Sequence, residues 1–146
     1  MDGEYAPSTS ERSRQQVAEF EASGGTRANT LRGYPIVVVT MRGARSGKIR
    51  KVPLMRVEHD GRYLAVASLG GAPRHPQWYH NLRAHPRAEV QDGADVVETT
   101  ARELDGEERA RWWVRAVAAF PDYAAYQRRT ERLIPVLLLE PVGHRG

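Results

Sequence analysis

Three stretches of this 146-residue chain hold side chains whose types and spacing can do chemistry. In "RGARSGKIRKVPL" a Gly-x-x-x-Gly turn carries Arg45 and Ser46, with Lys48 and Arg50 just beyond. Backbone N–H groups, a hydroxyl and cations gathered in this way can be aimed at one phosphate. The G-x-x-x-x-G-K-[ST] spacing of a P-loop is absent, and a solvated hairpin turn has the same composition. In "GGAPRHPQWYHNLRAHP", His75, His80 and His85 are five residues apart. A helical step of five rotates about 140°, so they share no face. No acidic residue lies between Gly70 and Pro86 to complete a metal site, and none is expected. Trp78 and Tyr79 can pack in a core or stack on a ligand. Gly70 and Gly71 can form a plain turn or let the backbone approach a planar group. In "FPDYAAYQ", Tyr123 and Tyr126 are three apart and face the same way. Their hydroxyls can donate a hydrogen bond or a proton to an oxyanion or nitro group, or the pair can be ordinary amphipathic packing.

Several classes are excluded or disfavoured. The chain has no cysteine, so disulfides, thiolate metal sites and a Cys nucleophile are ruled out. There is no G-x-S-x-G elbow and no helix-turn-helix or aromatic RNA platform, so no nucleic-acid partner is expected. No stretch is long and apolar enough to span a membrane. "MDGEYAPSTSERSRQQ" has no signal-peptide core, so a cytoplasmic location is expected, with peripheral membrane contact left open. Net charge is +4. Between Met41 and Val57 lie Arg42, Arg45, Lys48, Arg50, Lys51 and Arg56 with no acidic residue. A positive field confined to one segment suits a compact anion better than a long polyanion.

The elements that must position these groups read as an α+β domain. Residues 1–10 are expected to be a disordered tail and 11–146 a single domain. "ERSRQQVAEFEAS" reads as a helix with a thin stripe of Val17 and Phe20. "YPIVVVTMR" is a buried strand. "IRKVPLMRVEHD" is a strand whose Pro53 marks an edge or bulge, and "DG" at 60–61 turns it into "RYLAVASL". These three strands suggest an antiparallel meander. Pro76 can take the first position of a short helix ending before Pro86. "RAEVQDG" and "DVVETTARELD" are two more strands. "GEERARWWVRAVAAF" is a helix with Trp112, Ala116 and Phe120 on one stripe. Pro121 breaks it, and Asp122 can cap the next helix. "LIPVLLLEPV" closes the chain as a buried strand. Six mostly antiparallel strands with flanking helices and no βαβ rhythm suggest a split β-barrel.

In order, the motifs of "TMRGARSGKIRKVPLMRVEHDGRYLAVASLGGAPRHPQWYHNLRAHPRAEV" closely resemble the deazaflavin-dependent nitroreductase family. Its pattern reads roughly G-x-[KR]-[ST]-G…R-x-x-P-L, then A-S-x-G-G-A…P-x-W-Y-x-N-L. "FPDYAAYQRRTERLIPV" resembles its Tyr-bearing C-terminal helix, and the likeness runs from about Tyr34 to Pro141. The resemblance implies a split barrel like that of FMN-binding oxidoreductases, with coenzyme F420 in place of FMN; FMN itself stays the alternative cofactor. It implies that Arg45, Ser46, Lys48 and Arg50 hold the phosphate and acidic tail. Pro53, Leu54 and Met55 would line the ring pocket. Ala67, Ser68, Gly70, Gly71 and Ala72 would run along the coenzyme, with Trp78 and Asn81 bracing that wall. The implied reaction is hydride transfer from the reduced coenzyme to a quinone or nitroaromatic acceptor, with Tyr123, Tyr126 and Ser68 on the acceptor side. An enzyme using FMN and a non-enzymatic coenzyme carrier are the rival readings. Three positions depart from the family. Ala44 replaces a frequent cation, Leu69 stands where some members have Lys, and Phe120 stands where a member has a further Tyr. Monomer and homodimer both fit.

Overall fold

The computed structural model describes residues 1–142; the last four residues of the expected domain, 143–146, lie outside them. The long apolar run becomes strand β2 (Tyr34–Arg42), in which Ile36 through Met41 are all buried. Its side chains alternate between two cores, as the period of two requires. Ile36 and Val38 enter one with Val17, Phe20 and Trp112, while Val37, Val39 and Met41 enter the other with Tyr79 and Leu82. β8 (Val136–Pro141) behaves likewise: Val136 and Leu138 face the first core, Leu137 and Leu139 the second. Both strands are apolar over most of their length because both of their faces are covered.

The remaining strands are β1 (Thr30–Leu31), β3 (Ile49–Met55), β4 (Glu58–His59), β5 (Arg62–Val66), β6 (Arg87–Asp92) and β7 (Asp95–Glu103). All named pairs are antiparallel, in the order β1-β2-β6-β7-β8-β5-β4, with β3 also on β2. The expected split β-barrel with flanking helices is present. β1 is a two-residue addition to the expected six, and β4 is the far end of the expected strand 49–60, separated from β3 after Met55. The expected hairpin at Asp60–Gly61 is present, joining β4 to β5; the expected meander is corrected in that β5 does not return along β3 but pairs β8 on its other side, aligning Leu64 with Leu138. Among named strands β3 pairs β2 alone, placing Pro53 on an edge, where its missing N–H breaks no ladder.

Helix α1 (Glu11–Ala22) starts at Ser10, whose hydroxyl accepts from the Ser13 N–H at 3.3 Å, and buries Val17 and Phe20. α2 (Gln77–Ala84) buries Tyr79 and Leu82, and Pro76 is its N-cap, not its first residue. α3 (Gly106–Ala119) buries Trp112 and Ala116 and stops before Pro121; α4 (Asp122–Arg128) follows. Residues 4–6, within the segment expected as a tail, lie along the start of β3. Ile49 N donates to the Glu4 carbonyl at 2.7 Å and Ala6 N to the Ile49 carbonyl at 2.8 Å.

After α1 the chain turns through Gly24 and Gly25, both left-handed. A Cβ on Gly25 would lie 2.5 Å from the Gly93 backbone in the β6–β7 turn, whereas Gly24 faces open space. Gly25→Ala should therefore cost about 2–3 kcal/mol, strain plus steric conflict. Gly24→Ala should cost only about 1 kcal/mol, strain alone. Urea unfolding of the two variants measures the difference.

Candidate active site

Three adjoining hollows of about 690, 600 and 380 Å³ form one groove beside β3. The first and second share Arg50, Gln77, His80 and Asn81, and the second and third share Val52, Leu69, Pro76 and Trp78. One end is polar, with Gly43, Ala44, Arg45 and Ser46. The other is apolar and phenolic, with Pro53, Leu54, Met55, Val66, Ser68, Phe120, Tyr123 and Tyr126. This end lies where β3 and β5 approach without pairing.

The polar end is a tight turn between β2 and β3. Gly43 N donates to the Lys48 carbonyl at 2.8 Å and Gly47 N to the Gly43 carbonyl at 3.0 Å. Ser46 Oγ accepts from Lys48 N at 3.1 Å. A Cβ on Gly43 would sit 2.9 Å from that oxygen, so glycine is needed for the hydroxyl to fold over the turn. Asn81 Oδ1 accepts from Ala44 N at 2.9 Å and from Gln77 Nε2 at 3.2 Å. Asn81 thus braces the cationic turn, not the glycine wall expected of it. The positive segment is also less free than its composition suggests. Lys48 pairs with Glu4 at 2.7 Å, Lys51 with Glu21 and Arg56 with Asp92, while Arg42 donates to the Asp2 carbonyl. Arg45 and Arg50 line the groove; Lys48 does not. Arg74, Gln77 and His80 line it as well. Sequence reasoning assigned them no role; Gln77 and His80 lie on α2 and Arg74 just before it, and only that neighbourhood could have flagged them.

The glycine wall is built differently from the expectation. Leu69, Gly70 and Gly71 are left-handed in succession, with φ of 44°, 64° and 83°. A Cβ on Gly71 would fall 2.6 Å from the Tyr126 carbonyl, so this glycine admits α4, and Gly70 faces open space. Neither lines the groove, whereas Leu69 does. Ala67 is fully buried. Ala67 and Ala72 contribute carbonyls to Arg132, at 3.2 and 2.8 Å, and Ser68 does so at 2.7 Å. The same guanidinium lies 3.0 Å from His75 Nδ1. A guanidinium only donates, so Nδ1 is an acceptor and is closed to a metal. Burial, then the Arg132 charge, hold His75 below its ordinary pKa. His75 precedes α2, so helical spacing does not apply to it, and its ring lies 6.0 Å from that of His80.

At the far end Phe120 meets Tyr34 and Tyr123 edge-to-face, at centroid distances of 5.2 and 5.0 Å. Tyr126 Oη accepts from Arg32 Nη1 at 3.1 Å, and the same nitrogen is 3.0 Å from Asp122 Oδ2. Asp122 therefore does not cap α4 as expected; its side chain reaches Arg32 instead. The Tyr123 side chain is buried, and burial raises its pKa well above the ordinary value of 10.0. None of the described residues bonds its hydroxyl, which makes it a neutral donor available to a ligand. The unfolded chain ionises near pH 10 while folded Tyr123 stays protonated, so stability falls as pH rises above about 10. Tyr123→Phe should flatten this alkaline loss, as read from Tm against pH; Tyr63, raised likewise by burial and Asp92, keeps part of it.

Residues 12–141 match the model of the F420H(2)-dependent quinone reductase family. An F420H(2)-dependent quinone reductase of Mycobacterium tuberculosis is 35% identical over 130 residues, 86% of this chain and 87% of that protein. A solved F420-H2 dependent reductase is 59% identical with a TM-score of 0.70, covering 73% of this chain and 94% of its own. A second solved structure, described as a domain-swapped dimer, is 52% identical with a TM-score of 0.73, covering 87% and 96%. A heme-binding protein of Mycobacterium smegmatis, 14% identical with a TM-score of 0.56, covers 86% of this chain and 50% of its own and shares the fold alone. A cationic turn and a phenolic pocket joined by one groove are thus found in a chain that belongs to the F420H(2)-dependent quinone reductase family.

Proposed function

We propose that the groove takes reduced coenzyme F420 and, at its phenolic end, a quinone. The observation that carries this reading is the groove's polarity. Its cationic end and its apolar end are continuous, as a ligand with a charged tail and a flat ring requires. The residues present fit such a ligand. Arg45, Ser46 and Arg50 would hold the phosphate, with Arg74 beside the acidic tail. Val52, Pro53, Leu54, Met55 and Trp78 would enclose the ring. Bound there, the reduced coenzyme supplies a hydride. Tyr123, kept neutral by burial, donates a hydrogen bond to the acceptor oxygen as negative charge develops on it. Tyr126, whose oxygen already accepts from Arg32, has its O–H proton left for the same oxygen. Ser68, buried at this end, is a third donor. The apolar walls exclude water from the transfer.

Nitroaromatic acceptors fit the same pocket, being flat and electron-poor. FMN also offers a phosphate and is the competing cofactor. A homodimer is supported by the relative described as a domain-swapped dimer and is tested by light scattering.

Fluorescence titration of oxidised F420 and of FMN into the protein tests the cofactor. Micromolar binding of FMN with none of F420 would reject the reading. Turnover of menadione and of a nitroimidazole with reduced F420 separates enzyme from carrier. Arg50→Ala should weaken F420 binding about tenfold at low salt, and less at high salt. Tyr123→Phe should lower kcat about tenfold with F420 affinity unchanged. Unchanged turnover returns Tyr123 to a packing role.

A further inference from the structure

Leu69 stands at the junction of the groove, lining both its middle and its phenolic end. It is exposed, and its φ of 44° is one that any residue with a Cβ resists. Leu69 leaves 39% of its surface open to the groove, and strain of this kind gathers at ligand sites. The left-handed run from Leu69 to Gly71 is one tight turn, closed by Gly71 N to the Ser68 carbonyl at 2.9 Å and by Ala72 N to the Leu69 carbonyl at 3.1 Å. Arg132 grips both flanks of this turn from outside. Its Nη2 donates to the Ser68 carbonyl at 2.7 Å, just before the run, and its Nε to the Ala72 carbonyl at 2.8 Å, just after it. No carboxylate among the described residues pairs with this guanidinium. Its hydrogen bonds go to carbonyls and to His75, so its charge is devoted to the loop.

We propose that Arg132 is a positioning residue that clamps the loop around strained Leu69, so that the Leu69 side chain forms a contact shared by coenzyme ring and acceptor. The contact role rests on the function proposed above; the clamp does not. A guanidinium bridges the two flanks as a rigid fork, and a lysine ammonium in its place reaches fewer of these acceptors. A glycine at 69 adopts the same backbone without strain.

Four proteins test this: wild type, Leu69→Gly, Arg132→Lys and the double variant. Leu69→Gly should keep or raise Tm while the KM for menadione rises about tenfold, the loss of one apolar contact. Arg132→Lys should lower Tm and weaken F420 binding. Its Tm loss should shrink in the Leu69→Gly background, where less strain is left to hold. Wild-type KM in Leu69→Gly overturns the shared contact. Equal Tm losses from Arg132→Lys in both backgrounds overturn the clamp. Failure of the wild type to bind F420 rejects the proposed function and the contact role with it, while the Tm comparison still decides the clamp.

Discussion

The barrel is open on one side, and the groove exists because of that opening. β3 pairs only β2 among the named strands, and β5 turns away to β8. The two edges approach without a hydrogen-bonded ladder between them, so side chains and backbone there stay available to a ligand. Pro53 suits the β3 edge because it has no N–H to leave unpaired. The first residues of the chain cover the start of that edge at Ile49, leaving the stretch from Arg50 to Met55 to form the groove wall. Away from the opening, β2 and β8 are buried on both faces.

Charge is distributed by the same economy. Most cations between Met41 and Val57 are tied to nearby carboxylates or carbonyls. These links dock the N-terminal segment, α1 and the β6–β7 turn. Arg45 and Arg50 line the groove, and the turn presenting them is held by Asn81 from α2. The second wall of the groove is fixed from the opposite direction, by Arg132 and by α4 packed against Gly71. Both walls therefore depend on long-range contacts.

The apolar runs of β2 and β8, the stripes on α1 and α3, and the breaks at Pro86 and Pro121 were legible because they depend on neighbours within a few residues. The tyrosine pair was legible for the same reason, three residues being nearly one helical turn. The turn from β4 into β5 was legible from Asp60–Gly61, but the pairing of β5 with β8 was not, because a strand's residues carry no label for a partner distant in sequence. Nor were Arg32 and Arg132. Each is one arginine among many, and its partners are a phenol 94 residues away or carbonyls about 60 to 65 residues away. Carbonyls are common to every residue and leave no trace in composition.

The sequence by itself determined the class of fold, the cationic turn, the two phenols and the family motif, all features of local pattern. Only the tertiary structure decided which of these face one another. It withdrew Lys48 from the groove by pairing it with Glu4. It moved Asn81 from the glycine wall to the cationic turn. It gave Gly71 to α4, and put Leu69 at the groove's junction. The reason is physical: a side chain's type states what it can bond, but its partner is whatever the closed chain brings within reach.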